Sequence, residues 1–345
     1  MTSSARWEPG PRHSGEAREK PYVPIPMDQV DYLVATAARA PSVHNTQPWR
    51  FFADTDAIEL HADDSRNLRR VDPARREMLI SCGAALFGLR LAVRRLGYIP
   101  VTEMFPSETQ RDLLARVRLG PQVPASPAER AFLKAVSHRH THRGPFSPDR
   151  LPRGLLPGLQ HDAVAEGATL VLLPPSGYQA LAEIVAAADR LQRQQPVLRA
   201  ELRRWTRPAG SPARDGIPAY AFPASPPSVR GRLALRDFDL GRGWGQLDGA
   251  GGYPPAVTAV LTTNVDDRAG WMRAGQALHR LLVHAASQWV FASLHTQALE
   301  YAALRAQIRA LLGLGGAPQI VLQFGRADTA PVTARRPLGE LLVSA

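Results

Sequence analysis

Residues 41–49 read PSVHNTQPW, and they place five small or polar residues between a predicted helix and a predicted strand. Pro41 follows the helix, and Pro48 and Trp49 open the strand. One explanation is a turn, in which one or two of the polar side chains bond to the backbone and the rest are solvated. The other is a loop in which Ser42 and Asn45 offer hydrogen bonds to a ligand. The local pattern alone leaves both explanations open.

The composition indicates a folded chain with many loops. Its 345 residues are 44% hydrophobic and include 31 prolines, which suits one large domain or two fused units. No apolar run reaches the roughly 18 residues of a membrane-spanning helix. Residues 1–25 lack the apolar segment of a secretory signal, and we expect them to form a disordered tail. Cys82 is the only cysteine, which excludes an intrachain disulfide and fits a reducing cytoplasm.

The formal charge of +11 raises the possibility of a nucleic-acid partner. However, lysine occurs only at Lys20 and Lys134, and the arginines are scattered over many predicted elements. No nucleic-acid-binding motif accompanies them. Nucleic acid is therefore a minor alternative, and we expect no membrane partner.

Two long apolar helices, predicted at 75–96 and 266–289, have similar sequences. CGAALFGL at 82–89 aligns with AGQALHRL at 274–281, and short strands are predicted on either side of each helix. An internal duplication is the simplest account. It predicts an α+β fold with a first half at 26–125 and a second half at 126–345, which together copy a two-fold homodimer.

The segment 205–255 is rich in proline, glycine and serine and shows no sustained periodicity. Irregular loops of this length are uncommon and often act as lids or binding loops. Four of its aromatic residues, Trp205, Tyr220, Phe222 and Trp244, could fold over a ligand. We call 205–255 the lid segment.

The motif HRHTHR at 138–143 allows three interpretations, the third of which depends on the family resemblance described below. In a strand, His138, His140 and His142 would share one face, as zinc ligands could. A solvated basic loop explains the motif equally well. No neighbouring carboxylate completes a metal site, and we expect none.

The resemblance rests on several motifs. PSVHNTQPW resembles the PSSxNxQPW loop of the FMN-dependent nitroreductase superfamily, in which two subunits bind FMN at their shared two-fold interface. More closely, the chain resembles the Acg family, whose members carry both halves in one polypeptide. The similarity runs from about residue 26 to the C-terminus. Its further motifs are DGIP at 215–218, RAGQAL at 273–278, PQIVLQFG at 318–325 and ARRPL at 334–338.

The resemblance implies a nitroreductase-like FMN-binding fold, duplicated within one chain, with FMN held by residues of both halves. Segment 138–143 takes the place of an arginine-rich phosphate-binding segment, and arginine forks and a threonine hydroxyl suit phosphate. Arg336 is preferred to Arg335 as a further phosphate ligand. Residues 294–296 would run beside the flavin N5 edge. The implied cofactor-binding residues are Ser42, Asn45, Gln47, Arg139, His140, Thr141, Arg143, Leu294, His295, Thr296, Arg335 and Arg336.

The sequence contains no P-loop, no GxGxxG after a strand and no GxSxG, so a resident dinucleotide or a hydrolase triad is not expected. The resemblance implies that the flavin supplies the redox chemistry and that no side chain acts as a nucleophile. The favoured hypothesis is an FMN oxidoreductase that meets NAD(P)H and a small electron acceptor in turn. The alternative is a flavin-sequestering protein whose closed lid allows little or no turnover. We expect a cytoplasmic monomer.

Overall fold

The computed structural model describes residues 22–224, 233, 235–247, 256–328 and 331–343. Most of the expected disordered tail and parts of the lid segment therefore lie outside the described residues. The described helices are α1 (Val30–Ala38), α2 (Arg76–Arg95), α3 (Pro127–Ala135), α4 (Leu155–Ala165), α5 (Pro175–Gln194), α6 (Pro196–Arg204), α7 (Arg268–Ser287), α8 (Ala302–Leu311) and α9 (Leu338–Leu341). The described strands are β1 (Trp49–Ala53), β2 (Ile58–Ala62), β3 (Tyr98–Met104), β4 (Leu113–Gln122), β5 (Thr169–Leu172), β6 (Thr206–Arg207), β7 (Ile217–Pro218), β8 (Val257–Thr263), β9 (Val290–Leu294), β10 (Ala317–Arg326) and β11 (Leu342–Val343).

Both long helices form within two residues of their predicted bounds. At the start of α7 the Asp267 side chain accepts a hydrogen bond from the Gly270 backbone N–H at 2.8 Å, which caps the helix. The segment at 138–143 is not a strand, so the interpretation in which three histidines share one face of a strand does not apply. Within this segment, Thr141 makes an isolated bridge to Ala292.

The two main sheets of the described residues repeat one topology, with orders β11-β1-β2-β4-β3 and β5-β8-β10-β9. If β1, β2, β3 and β4 are matched with β5, β8, β9 and β10, the strand order is the same in both sheets. Within each of these sets, all neighbouring strands are antiparallel. A long helix connects the second and third strand of each unit, α2 in one and α7 in the other. The predicted internal duplication of an α+β unit is confirmed.

The two long helices cross at glycines that the sequence alignment pairs. A Cβ atom built on Gly83 would lie 2.2 Å from the Met272 carbonyl oxygen, and one built on Gly275 would lie 1.9 Å from the Ile80 carbonyl oxygen. Each glycine thus meets the residue three positions before the other glycine. This reciprocity is the property of an isologous, two-fold contact, and only glycine permits so close an approach of the backbones.

The end of the chain returns to the first sheet. Strand β11 pairs in parallel with β1, with Phe51 opposite Leu342, so the first sheet has one more strand than the second. Each half has its own buried core, one between the first sheet, α1 and α2, the other between the second sheet, α4 and α7. Within the described residues, no helix combines the length and apolar character needed to cross a membrane.

Candidate functional site

The loop of residues 41–48 has an unusual backbone. His44, Asn45 and Gln47 have φ angles of 46°, 54° and 50°, a left-handed region that non-glycine residues rarely adopt. The loop is braced by Ser42, whose Oγ accepts a hydrogen bond from the Gln47 N–H at 3.0 Å, and by Ser81 of α2, whose Oγ accepts from the Val43 N–H at 3.1 Å. Such a strained and braced backbone is common at binding sites.

The amides of Asn45 and Gln47 bind backbone from two other segments. Asn45 Nδ2 donates to the Gly216 carbonyl oxygen at 3.0 Å, and Gln47 Nε2 donates to the Arg214 carbonyl oxygen at 2.9 Å. Gln47 Oε1 accepts from the Arg336 N–H at 2.8 Å. Both residues are buried. Their side chains therefore fasten the lid segment and the chain end to the loop.

A cavity lies where the two halves and the lid segment meet. Its empty volume is about 830 Å³, which includes the space at its mouth that is open to solvent. Five of the residues expected from the sequence line it: Ser42, Thr141, Arg143, Leu294 and Thr296. Its apolar walls come from both long helices and from β10, through Ile80, Leu278 and Ile320. Described residues of the lid segment also line it: Pro223, Leu235, Arg236 and Phe238. A largely apolar cleft with a few polar groups is typical of a cofactor site.

Arg143 brings a positive charge to this cavity. Its guanidinium lies over the Phe238 ring, 5.3 Å from the centroid, and its Nη1 reaches the Thr141 carbonyl oxygen at 3.5 Å. Burial, and then the nearby Arg236, lower the pKa of Arg143 to about 10. Among the residues that the structure describes, no carboxylate forms an ion pair with Arg143. An anionic or carbonyl-rich ligand would suit it.

Arg139 and Arg335 meet at the C-terminal end of α1. Arg139 Nη2 donates to the Arg39 carbonyl oxygen at 3.1 Å, and Arg335 Nε donates to the Ala38 carbonyl oxygen at 2.9 Å. The negative end of a helix favours such cations. Burial, followed by the charge of Arg335, lowers the pKa of Arg139 to about 9. Within the described chain, the buried Nε and Nη1 of Arg139 have no hydrogen-bond partner.

Arg336 differs from Arg335 because its charge is already paired. Its Nε lies 3.1 Å from Glu340 Oε2, and its Nη1 donates to the Gln47 carbonyl oxygen at 3.2 Å. Its guanidinium therefore joins the chain end to the loop of residues 41–48.

The histidines of segment 138–143 pack against aromatic rings. His140 lies 4.3 Å from Phe291 between ring centroids, and burial lowers the pKa of His140 to about 3. His142 reaches the Pro145 carbonyl oxygen through Nε2 at 2.9 Å and also lines the cavity. Both rings are neutral at physiological pH. The described residues contain no group of three or more metal-binding side chains.

Leu294, the last residue of β9, and Thr296 line the cavity, whereas His295 between them does not. His295 is fully buried, and its backbone N–H donates to the Val321 carbonyl oxygen at 3.0 Å.

Five polar residues of the cavity were not predicted from the sequence as cofactor-binding residues: His44, Glu77, Ser81, His142 and Arg236. His44 is buried, its ring contacts Phe238 edge-on at 5.6 Å, and burial holds the pKa of His44 well below its ordinary value. The position of His44 in the loop of residues 41–48 was the feature of the sequence that could have identified it. For Glu77 the sequence offered no signal, because an acidic residue in the first turn of a helix is common.

An α+β unit repeated about a two-fold axis, with a cavity between the repeats, agrees with the nitroreductase-type fold expected from the sequence. The profile of the nitroreductase family matches residues 22–65, which include the loop of residues 41–48. A Mycobacterium tuberculosis protein provisionally named NAD(P)H nitroreductase Rv3131 is 34% identical over 325 residues, which cover 91% of each chain. The chain belongs to the nitroreductase family.

The chain is also similar to two further proteins. The M. tuberculosis protein acg, also provisionally named an NAD(P)H nitroreductase, is 27% identical over 321 residues, which cover 92% of this chain and 96% of its own. The crystal structure of a Desulfitobacterium hafniense nitroreductase with bound FMN aligns with 61% of this chain and 95% of its own, at 13% identity and a TM-score of 0.39.

Proposed function

We propose that the protein is an FMN-binding oxidoreductase of nitroreductase type that holds its flavin between two fused halves, residues 26–125 and 126–345. The observation that carries this proposal is the convergence of Ser42 from the first half with Thr141 and Arg143 from the second half on one cavity. Membership in the nitroreductase family supports it, and so do the names of the mycobacterial relatives.

The chemistry of the lining residues fits FMN. The apolar walls suit a planar aromatic ring, and Arg143 offers a guanidinium without a carboxylate partner among the described residues. Arg139 does not itself line the cavity, but its buried Nε and Nη1 have no hydrogen-bond partner within the described chain and suit a phosphate group, because charge-assisted bonds from arginine to phosphate are strong. Arg335 stands beside Arg139 and is the better second phosphate ligand, since the charge of Arg336 is paired with Glu340.

Bound FMN would supply the redox chemistry, accepting reducing equivalents from NAD(P)H and passing them to an acceptor. The residues of the chain bind and orient it. Arg143 favours negative charge in the cavity, Phe238 and Leu235 exclude water on the side of the lid segment, and Ser42 holds the strained loop against the site. No side chain acts as a nucleophile in this proposal.

We expect one flavin per chain, because only one of the two equivalent positions has a polar loop. In the first half, ten residues separate α1 from β1, whereas in the second half only Glu166, Gly167 and Ala168 separate α4 from β5. The fused halves already cover the surface that two subunits would share, so we also expect a monomer.

A specific observation favours flavin sequestration as a second candidate function. Described residues of the lid segment form one wall of the cavity, and Asn45 and Gln47 fasten other parts of that segment at Gly216 and Arg214. A wall held in this way would restrict access for NAD(P)H. Visible spectra under anaerobic conditions distinguish the two functions. Bleaching by NADPH within seconds supports an oxidoreductase, whereas reduction by dithionite alone supports sequestration.

The phosphate assignment is tested by comparing FMN with riboflavin, which lacks the phosphate. Fluorescence titrations should show that the wild-type protein prefers FMN. Arg139→Met should reduce FMN affinity by about 10- to 100-fold, the usual effect of losing a charged hydrogen bond, and should leave riboflavin affinity unchanged. Arg153→Met, at an exposed position, is the matched control. Equal binding of FMN and riboflavin by the wild-type protein would contradict the assignment.

A further inference from the structure

Glu77, the second residue of α2, is a buried acid on the wall of the cavity. Glu77 is among the residues that line the cavity, and it is only 4% exposed. One carboxyl oxygen, Oε1, lies 3.2 Å from Arg76 Nη2. The other, Oε2, is buried and has no hydrogen-bond partner among the described residues. A buried carboxyl with a free oxygen at a cavity wall is a group that a ligand could satisfy.

The charges around Glu77 do not favour a carboxylate there. Asp72 and Glu300 add two more carboxyl groups to the same cluster, and its guanidinium groups belong to Arg76 and Arg236. Arg236, from the lid segment, forms its own ion pair with Glu300. Arg76 also donates through Nη1 to the Gln319 side chain at 3.1 Å and to the Gln319 carbonyl oxygen at 2.9 Å.

The charged groups farther from Glu77 do not change the balance of charge around its carboxyl group. Arg305 of α8 is paired with Asp266 at 2.9 Å, so its charge is already compensated. Burial, and then the negative charge of Glu300, raise the pKa of Glu77 to about 8. The pKa values of Asp72 and Glu300 are also raised by burial. The three carboxyl groups of Asp72, Glu77 and Glu300 therefore hold a proton at neutral pH. We place this proton on Glu77, because its Oε2 has no hydrogen-bond partner among the described residues.

We propose that Glu77 faces the flavin site as a protonated carboxyl and donates a hydrogen bond to an acceptor atom of the flavin ring. This inference rests on the proposed flavin site. The ring edge carries carbonyl oxygens and ring nitrogens that accept hydrogen bonds, and a neutral carboxylic acid has one O–H to donate. A carboxylate at the same place has no donor and would be repelled by these atoms. Glu77 is thus a cofactor-binding residue whose protonation sets the affinity for the ring.

The test is the pH dependence of riboflavin binding, measured by quenching of flavin fluorescence between pH 7 and 9.5. Riboflavin is the probe because it carries no titrating phosphate. For the wild-type protein, Kd should rise about tenfold between pH 7 and 9, as the carboxyl group loses its proton. Glu77→Gln keeps a neutral donor of the same shape, and its Kd should change less than about twofold over the same range. Glu183→Gln, at an exposed position, should behave like the wild-type protein.

The outcomes separate the inference from the function on which it rests. If neither protein binds riboflavin or FMN at pH 7, the proposed flavin site is wrong. If both bind, but wild type and Glu77→Gln share one pH profile, Glu77 does not act as the donor.

A second measurement needs only the wild-type protein and covers the case in which Glu77→Gln does not fold. Riboflavin binding at pH 8.5, followed by calorimetry in two buffers of different ionisation enthalpy, should take up most of one proton. Absence of uptake, or release of a proton, would overturn the proposal.

Discussion

Replacing Gly275 by alanine tests whether the two halves meet at a tight helix crossing. The new Cβ atom would lie 1.9 Å from the Ile80 carbonyl oxygen and 2.7 Å from the Ala84 backbone nitrogen. Neither atom belongs to a flexible side chain, so α2 and α7 must move apart by at least about 1.5 Å to restore ordinary contact. Overpacking of this kind costs about 3 kcal/mol, and the better helix propensity of alanine returns about 1 kcal/mol.

We therefore expect Gly275→Ala to lower the free energy of unfolding by about 2 kcal/mol. Urea denaturation followed by circular dichroism measures this change. Gly339→Ala in α9 is the control, because nothing lies within 4 Å of a Cβ atom built there. It should remain within about 1 kcal/mol of the wild-type protein. A Gly275→Ala protein as stable as the wild type, or an equal loss in Gly339→Ala, would refute the packing argument.

Three further predictions concern buried groups. The folded protein binds the proton of Glu77 more tightly than the unfolded chain, so the free energy of unfolding of the wild-type protein should fall as pH rises from about 4.5 towards 8. In urea denaturation across that range, Glu77→Gln should lack this pH-dependent part of the free energy. Parallel pH curves for the two proteins would contradict the prediction. Arg236→Met leaves Glu300 without its ion-pair partner in the interior and should lower the free energy of unfolding by about 3–5 kcal/mol. The double variant Arg236→Met/Glu300→Gln should recover part of this loss. A double variant no more stable than Arg236→Met would count against the ion pair. Cys82 is buried with a pKa raised by burial, so Ellman's reagent should detect one thiol only after unfolding, and rapid labelling of the native protein would be inconsistent with this burial.

The sequence predicted the elements whose periodicity is strong. The aligned segments of the two long helices predicted the duplication, and the structure adds that their matched glycines, Gly83 and Gly275, lie at the crossing of the two helices. Helix α4 was not predicted, because Pro157 and Gly158 interrupt its apolar pattern. Strand β9 was not predicted either, since it is short, mostly apolar and buried, and shows no alternation of apolar and polar residues. Helices α6 and α8 were also missed.

The candidate site was predictable where a motif marked it. The loop of residues 41–48 and segment 138–143 both reach the cavity, through Ser42 and Arg143 among others. Glu77 and Arg236 lie far apart in sequence and stand out only when the fold brings them to one wall. The amides of Asn45 and Gln47 hydrogen-bond to backbone that is distant in sequence. This could not be predicted, because it depends on the path that the lid segment and the chain end take past the loop.

The central claim is that one FMN lies between the two halves of a single chain. It is tested most directly by mixing the purified protein with excess FMN, removing free flavin by gel filtration, and recording the visible spectrum against protein concentration. We predict a yellow protein that retains one FMN per chain. A colourless protein that elutes without flavin would contradict the claim, and so would two flavins per chain.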